Sequence, residues 1–437
     1  MGDSHAIAMP NLSRNANFIR EKVMAHNRYF EEAIPLIASE NVISPLQREM
    51  LNSDFNGRYA EGWVGHRYYQ GNKFVDEVEA RGMELARRLF GCSFADLRPI
   101  SGTVANMAVL FGLTNPGDTI ATPALADGAH ISTAKFGAVG MRGVNTINYP
   151  FDTERMNIDI DGAIKLIREK KPKVSLFGMS LFLFPAPLKE LNEAFIETGT
   201  TVWYDGAHVL GLIAGKKFQD PLREGAHVMT ASTHKTFPGP NHGIILANPR
   251  DEEMEKALKR GVFPGVTSSH HLHEMAALCI ALDEMQKFGR RYASQIVKNS
   301  KALAQSLYDR GFGVLAADYG FTESHTLAVN VQNLGGGSSC AEALEKANIV
   351  VNKNMLPGDE SSVHPSGLRL GTQEVTHLGM REGEMSDVAS FFERLLIRKE
   401  SISSVRADVI RFKRRFRKLK YCYGENYPAY KFERFLR

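Results

Sequence analysis

The chemistry in this chain concentrates in Ala231-Ser232-Thr233-His234-Lys235-Thr236-Phe237-Pro238-Gly239-Pro240. A lysine stands between a strand-like apolar run, Ala226-His227-Val228-Met229, and a turn made of Pro238, Gly239 and Pro240. Two proline rings and a glycine suit neither helix nor sheet, so the backbone bends there. A lysine beside such a turn, with hydroxyls on both sides, is placed to act as a Schiff-base nucleophile. Burial and polar neighbours lower its pKa and leave a neutral amine to attack a carbonyl. Taken alone, a loop lysine is far more often a plain surface residue, so its partners must decide.

Two further stretches offer partners. Arg98-Pro99-Ile100-Ser101-Gly102-Thr103-Val104-Ala105-Asn106 leads into an apolar helix through Leu113. A small polar turn before a helix N-terminus is a natural phosphate site, because free N–H groups and the helix dipole both favour an anion. Ser-Gly-Thr also caps many ordinary helices, and this pattern alone is weak. Asp205, Ala207 and His208 follow the apolar run Val202-Trp203-Tyr204.

The elements that position these groups read as an α/β fold. Strands are expected at 119–122, 144–148, 174–178, 201–204, 227–231 and 243–247, with helices at 160–170 and 187–197 between them. That alternation implies a largely parallel sheet with helices on both faces, and ligand groups gather at the carboxyl ends of its strands. Asp205 and Lys235 both follow such ends. Before this region, helices are predicted at 11–30, with Ile19, Val23 and Tyr29 on one face, at 45–50 behind the cap Ser44, and at 75–90 ending at Gly91.

Arg58 to Asn72 mixes glycines, aromatics and charges with neither helical nor strand period, which indicates an ordered loop. Its residues fit a structural and a functional role equally well. Helices follow at 270–287 and 292–308, then a second strand–helix pattern at 326–331, 341–347 and 349–352. Gly335 to Ser339 reads as an exposed turn or short loop. The domains expected are an N-terminal arm (1–45), a large domain (46–288) and a small C-terminal domain (289–437).

The chain has 437 residues, 43% apolar and 23% charged, as soluble globular proteins do. No apolar run is long enough for a membrane span, and the polar start, Met1 to Pro10, has no signal-peptide pattern. The four cysteines, Cys92, Cys279, Cys340 and Cys422, form no Cys-x-x-Cys pair, which fits a reducing cytoplasm and suggests no metal site. From Arg398 onward 13 Lys/Arg face 4 Asp/Glu, a net of +9, while the rest of the chain carries a net of −5. The basic character belongs to the tail, so nucleic-acid binding by the body is not indicated. In the tail, Val405, Val409, Phe412, Phe416 and Leu419 make a helical stripe over 405–420, with Arg411, Lys413, Arg414, Arg415, Arg417 and Lys418 on the other face.

Seven blocks in order resemble one family: Leu36-Ile37-Ala38-Ser39-Glu40-Asn41, Tyr59-Ala60-Glu61-Gly62, Arg67-Tyr68-Tyr69, Ser101-Gly102-Thr103, Asp205-Gly206-Ala207-His208, Thr233-His234-Lys235-Thr236 with Gly239-Pro240, and Ser366 to Thr372. The chain resembles serine hydroxymethyltransferase from about Ile34 to Val405, a pyridoxal-phosphate family of the aspartate-aminotransferase fold type. The loop Phe263-Pro264-Gly265 and the segment His270-His271-Leu272-His273 look most like its archaeal branch.

The resemblance implies a large cofactor-binding domain with a mostly parallel, seven-stranded type of sheet, a smaller C-terminal α/β domain and an N-terminal helical arm. It implies pyridoxal 5'-phosphate bound covalently at Lys235, preceded by His234, with Asp205 pairing the pyridine nitrogen. His130 would stack on one ring face, Ala207 and His208 lie near the other, and Ser180 near the phenolic oxygen. Ser101, Gly102 and Thr103 would hold the phosphate with Ser232, joined by Tyr59 and Ser269. Arg369 would bind the substrate carboxylate with Ser39. Glu61 would be the acid/base group with Tyr69 beside it, and Leu125 and Asn354 would contact a reduced pterin.

The implied reaction is the reversible conversion of serine and that pterin to glycine and the methylene-pterin, in a cytoplasmic homodimer whose subunits share Tyr59 and Glu61. Departures from the family's usual pattern are Asn241-His242, Thr267-Ser268-Ser269, Val104, Thr133 and Trp63-Val64; these leave tetrahydrofolate and tetrahydromethanopterin both open as acceptor. The rival on the same scaffold is a pterin-independent aldolase or transaldolase for β-hydroxy amino acids. An α-methylserine-type transferase and a non-catalytic RNA-binding paralogue stand further off.

Overall fold

A computed structural model describes residues 12–360 and 363–436. Helices α1 (Arg14–Glu32), α2 (Pro45–Leu51) and α3 (Lys73–Phe90) precede the main sheet. The Ser44 hydroxyl accepts from the Gln47 amide at 3.2 Å to start α2, and Gly91, at φ 68°, ends α3. Expected residues 1–11 of the arm lie outside the described part. The arm's apolar face is uncovered within one chain: α1 buries nothing, and Phe18, Ile19 and Val23 are exposed.

Seven strands form the large sheet: β1 (Phe94–Asp96), β2 (Thr119–Thr122), β3 (Asn145–Asn148), β4 (Val174–Phe177), β5 (Thr201–Asp205), β6 (Val228–Ser232) and β7 (Gly243–Ala247). Their order is β1-β7-β6-β5-β4-β2-β3. β7 runs antiparallel to both neighbours and every other pair is parallel. Strands β4 to β7 are buried along their whole length, which is why they read in sequence as unbroken apolar runs. β1 escapes such reading because it has only three residues and ends on an aspartate.

Helix α4 (Gly102–Leu113) packs through Ala105, Ala108 and Val109 on the face that carries Trp203 and Val228. Helices α5 (Ile160–Lys170) and α6 (Leu188–Thr198) join the core on the opposite face, where Tyr204 and Phe177 lie.

The two helices expected at 270–287 and 292–308 are one, α7 (Leu272–Tyr308). Gly289 does not break it. An interior glycine costs a helix about 1 kcal/mol, and burial along α7 outweighs that: its first part joins the core of the large sheet as far as Ile296, and Leu303, Ala304 and Leu307 join a second core. That core covers an antiparallel sheet of β8 (Gly313–Val314), β9 (Thr326–Asn330), β10 (Asn352–Asn354) and β11 (Gly367–Gly371), in the order β8-β9-β11-β10.

Gly335 to Ser339 is not a free loop either. Gly335, at φ 112°, turns the chain into α8 (Gly336–Lys346), so the glycine-serine run forms the helix's first turn. The segment from Ile34 joins the second core and reaches the first: Ile34 and Pro35 pair with Ile349 and Val350, the Gly371 amide donates to the Leu36 carbonyl at 2.8 Å, and Asn41 donates to the Lys235 carbonyl at 2.7 Å.

The last helix, α9 (Ile402–Lys413), stops short of the expected Lys420. Lys413 is also fully buried rather than part of a solvated basic face. Its ammonium donates to the Phe30 carbonyl at 3.1 Å and lies 4.8 Å from the Tyr430 ring centroid. The chain beyond it folds back over α1, where the Asn27 side chain donates to the Tyr430 carbonyl at 2.8 Å. Among the described residues no helix is long and apolar enough to cross a membrane.

Candidate active site

The carboxyl ends of β5 and β6 open into a cavity of about 480 Å³. Of the residues singled out from sequence, it gathers Ser39, Ser101, Gly102, Thr103, His130, Asp205, His208, Ser232, His234 and Lys235. Glu40, Asn106, Met179, Ala207 and Asn241 complete the lining.

The lysine turn closes on itself: the Gly239 amide donates to the Thr233 carbonyl at 2.8 Å and the Thr233 hydroxyl to the Pro240 carbonyl at 2.7 Å. Asn41 holds it from outside by donating to the Lys235 carbonyl at 2.7 Å. Lys235 is 8% exposed, and no hydrogen bond or ion pair of its ammonium is found among the described residues. Burial brings its pKa down to about 8; Arg369 adds to this and Asp205 opposes it. An unpartnered buried amine facing a cavity is a nucleophile candidate on physical grounds. Burial and the neighbouring lysine also lower His234 to about 4, and burial holds His208 well below the ordinary histidine value.

Asp205 ends β5. One carboxylate oxygen accepts from the Ala207 amide at 3.0 Å and the other from Asn106 Nδ2 at 2.8 Å. Gly178, at φ 146°, lets β4 pass close by; a Cβ there would lie 2.5 Å from the Asp205 carbonyl oxygen. Facing this carboxylate across the cavity lining is the start of α4, where Ser101 caps by accepting from the Val104 amide at 3.2 Å. A first-turn amide has no helical carbonyl to bond. A Cβ on Gly102 would meet the Ser232 hydroxyl at 2.3 Å, so only glycine leaves room for this close approach.

Arg369 lies mid-strand in β11, with Leu368 and Leu370 turned into the second core and the guanidinium turned the other way. It donates to the Ser180 carbonyl at 2.9 Å and to Asn352 Oδ1 at 3.1 Å. Burial lowers its pKa to about 10, still a cation at neutral pH.

The other expected site residues lie apart from this cavity. Tyr59 and Tyr69 meet edge to face with centroids 4.8 Å apart, Tyr59 Oη is 3.0 Å from Ser268 Oγ, and Ser268 donates to Glu61 at 2.8 Å. Ser269 accepts from the Ala60 amide at 3.3 Å. Leu125 begins a single turn ahead of His130, and Asn354 ends β10 with its side chain donating to the Met355 carbonyl at 2.6 Å; neither lines the cavity. Sequence reading missed Asn106 as a partner of Asp205, together with Glu40 and Met179. The one signal for Asn106 was a lone amide in an otherwise apolar helix.

The family model described as serine hydroxymethyltransferase matches residues 15–392. The chain belongs to the serine hydroxymethyltransferase family. A serine hydroxymethyltransferase of Thermoplasma acidophilum is 57% identical over 94% of this chain and 97% of its own length. One of Methanocella arvoryzae is 51% identical over 96% and 99%. Among solved structures, an L-threonine transaldolase from Pseudomonas fluorescens in its internal aldimine state superposes with a TM-score of 0.87. It is 26% identical, with 94% of each chain covered.

The residues present fit the family's pyridoxal phosphate. Its aldehyde calls for an amine, its ring nitrogen for a carboxylate and its phosphate for amides and hydroxyls. The cavity supplies Lys235, Asp205, and the α4 N-terminus with Ser101, Thr103 and Ser232. Two polar atoms of its lining, His208 Nδ1 and His234 Nδ1, are buried without a partner inside the chain, as expected of a cavity shaped for a polar group.

Proposed function

We propose that this protein transfers the hydroxymethyl carbon of serine reversibly to a reduced pterin, leaving glycine. The observation that carries the reading is the pairing, in one cavity, of a buried partnerless Lys235 with Asp205 at the next strand end. Pyridoxal phosphate, when bound there, supplies an electron sink for bond breaking at the amino-acid α-carbon.

Lys235 holds the cofactor, and Asp205 keeps the ring nitrogen protonated. His130 would hold the ring from one side and Ala207 and His208 from the other, with Ser180 serving the phenolic oxygen and His234 backing the lysine. Ser101, Gly102, Thr103 and Ser232 bind the phosphate. Arg369 takes the substrate carboxylate in its planar fork, with Ser39 beside it. Glu61 moves the proton of the hydroxymethyl step with Tyr69 next to it, and Leu125 and Asn354 contact the pterin.

Glu61, Tyr59, Tyr69 and Ser269 reach the chemistry from a second copy of the chain, in a homodimer with shared sites. Two features of the single chain support this: those four residues lie outside its own cavity, and large apolar side chains of α1, the aromatic loop and the start of α3 stand uncovered, with Phe18, Ile19, Tyr68 and Phe74 each about 60% exposed or more.

The deciding experiment is serine turnover with tetrahydrofolate and with tetrahydromethanopterin in turn. Glycine formation that rises about 100-fold or more with one of them supports transfer. Turnover of β-hydroxy amino acids indifferent to both pterins overturns it and installs the second reading, a pterin-independent aldolase or transaldolase. The structural likeness to the Pseudomonas fluorescens transaldolase favours that alternative, at about half the identity of the Thermoplasma relative.

A further inference from the structure

A polar chain runs through the apolar layer between α4 and the sheet. Trp203 Nε1 donates to Thr230 Oγ1 at 2.9 Å, Thr230 Oγ1 donates to Asn106 Oδ1 at 2.7 Å, and Asn106 Nδ2 donates to Asp205 Oδ2 at 2.8 Å. Trp203 and Asp205 share one face of β5 by the two-residue period, and Asp205 is in register with Thr230 on β6. That is the face on which α4 lies, so the fold delivers all four groups to one line. Thr230 is fully buried, and the other three are no more than 8% exposed.

The direction of every hydrogen in the line is forced. An indole can only donate, and a carboxylate can only accept. Asp205 can only accept, so the Asn106 amide nitrogen is turned to it and the amide oxygen to Thr230, whose hydroxyl hydrogen must then point on to Asn106 while its oxygen takes the Trp203 hydrogen. The reverse amide orientation would set two oxygens against each other at Asp205.

The Asn106 nitrogen has a second hydrogen, and it reaches Ser132 Oγ at 3.3 Å. Ser132 in turn grips His130: its backbone amide donates to His130 Nδ1 at 3.2 Å, and its hydroxyl lies 2.8 Å from the same atom. A backbone amide cannot accept, so Nδ1 carries the lone pair and Nε2 the hydrogen. Burial favours this neutral form of His130.

We propose that Asn106 is a positioning residue that sets Asp205 and His130 together, itself held in orientation by the Thr230 hydroxyl and its Trp203 partner. This rests on the reading in which Asp205 meets the cofactor's ring nitrogen and His130 its face. One amide then orients the carboxylate and, through the Ser132 hydroxyl, helps seat the imidazole whose Nε2–H tautomer the Ser132 backbone amide sets, at no charge of its own.

The test uses apo-protein prepared from the holoenzyme, with three variants. Asn106→Asp keeps the shape and replaces the donor by a second carboxylate; Thr230→Val removes the hydroxyl at nearly constant volume; Thr230→Ser returns it. The readouts are the dissociation constant for pyridoxal phosphate, the absorption maximum of the bound form, and the ¹⁵N shifts of His130 in histidine-labelled apo-protein. The expected results are a dissociation constant raised about tenfold in Thr230→Val and about 100-fold or more in Asn106→Asp, near wild type in Thr230→Ser, with the maximum displaced in the first two. His130 should show an unprotonated Nδ1 in wild type and a displaced Nδ1 shift in Asn106→Asp, where the Ser132 hydroxyl turns from the imidazole to the new carboxylate.

The proposal is overturned if Thr230→Val and Asn106→Asp bind within twofold of wild type, if Thr230→Ser is as impaired as Thr230→Val, or if wild-type Nδ1 is protonated. Should Asn106→Asp fail to fold, the Thr230 pair and the wild-type tautomer still decide. Wild-type protein that takes up no cofactor at Lys235 would instead sink the reading of Asp205, and the apo-protein tautomer would judge the relay separately.

Discussion

Lys235 and Glu61 are the two groups on which the proposed reaction leans most, and the fold treats them in opposite ways. Lys235 follows a fully buried strand and has no ion-pair partner among the described residues, and its neighbours His208 and His234 are held neutral by burial. Glu61 precedes a two-residue hairpin, Gly62–Trp63 with His66–Arg67, and its neighbours Tyr59 and Tyr69 are about half exposed.

Salt bridges hold that loop alongside the burial of Ala60 and the packing of Trp63 on Phe263. Arg67 donates to the Ala60 carbonyl at 2.8 Å, to Asp76 at 2.8 Å and to Glu79 at 2.6 Å, the last two on α3. His270 Nε2 lies 3.1 Å from the same Glu79 carboxylate, which ties in the Ser268-Ser269 turn. Arg98, paired with Asp96, donates to the Gly62 carbonyl at 3.1 Å. Burial by itself would raise the Glu79 carboxyl, but His270 and Arg67 outweigh it and hold it below its ordinary value. An amine that must be neutral to attack gains from a dry strand end. A carboxylate that must exchange a proton with an incoming substrate gains from reach, and a charged clamp supplies aim without enclosure.

Breaking the dry half should have the largest effect. Lys235→Ala is expected to reduce serine turnover by more than about 1,000-fold and to abolish borohydride fixation of the cofactor; fixation at full yield in that variant would remove Lys235 from its role. Glu61→Gln sharpens the contrast, because cofactor affinity should hold while serine cleavage falls about 10²- to 10⁴-fold. Cleavage near the wild-type rate would assign the proton transfer to another group.

Glu79→Ala strikes the clamp from a distance. Removing one member of a buried ionic group costs about 3–5 kcal/mol, read by urea unfolding, and displacement of the loop should slow turnover by about ten- to a hundredfold while the bound cofactor's absorption is unchanged. A stability loss under about 1 kcal/mol would mean that Arg67 and His270 find other partners.

The smallest effect is one of pH. His234 and His377 are held near 4 and His325 near 3 by burial, whereas unfolded histidines take up a proton near 6.5. Below about pH 6.5 the unfolded chain therefore binds more protons than the folded one, so stability should fall as pH drops through that value toward 4. Thermal melts of apo-protein between pH 5 and 8 check this, and a flat profile would contradict the burial of these rings.

What sequence made legible follows the same division. Strands β4 to β7 announce themselves because two buried faces demand continuous apolar runs, and the turn after β6 announces Lys235 through its prolines and glycine. The loop from Arg58 to Asn72 was legible as ordered, but its order comes from Arg67 meeting Asp76 and Glu79 on the following helix, a tertiary fact with no period. Asn106 meets Asp205 across 99 residues of chain, so nothing local marks it beyond its polarity. The continuity of α7 through Gly289 and the burial of Lys413 were hidden for the same reason: in each, packing overrides a local preference that reads the other way.

Helix α7 has a further consequence. Its 37 residues give a rod of about 55 Å whose first half is inseparable from the large sheet's core and whose last turns belong to the other. Neither core can be expressed alone without stripping apolar side chains from the rod. A rotation of the small sheet relative to Lys235 must likewise be taken up by bending near Gly289 or by repacking around Leu303. Arg369 rides on that small sheet, so the distance between the proposed carboxylate-binding fork and the lysine depends on the stiffness of this helix together with the Arg369–Ser180 bond and the Ile34–Asn41 segment.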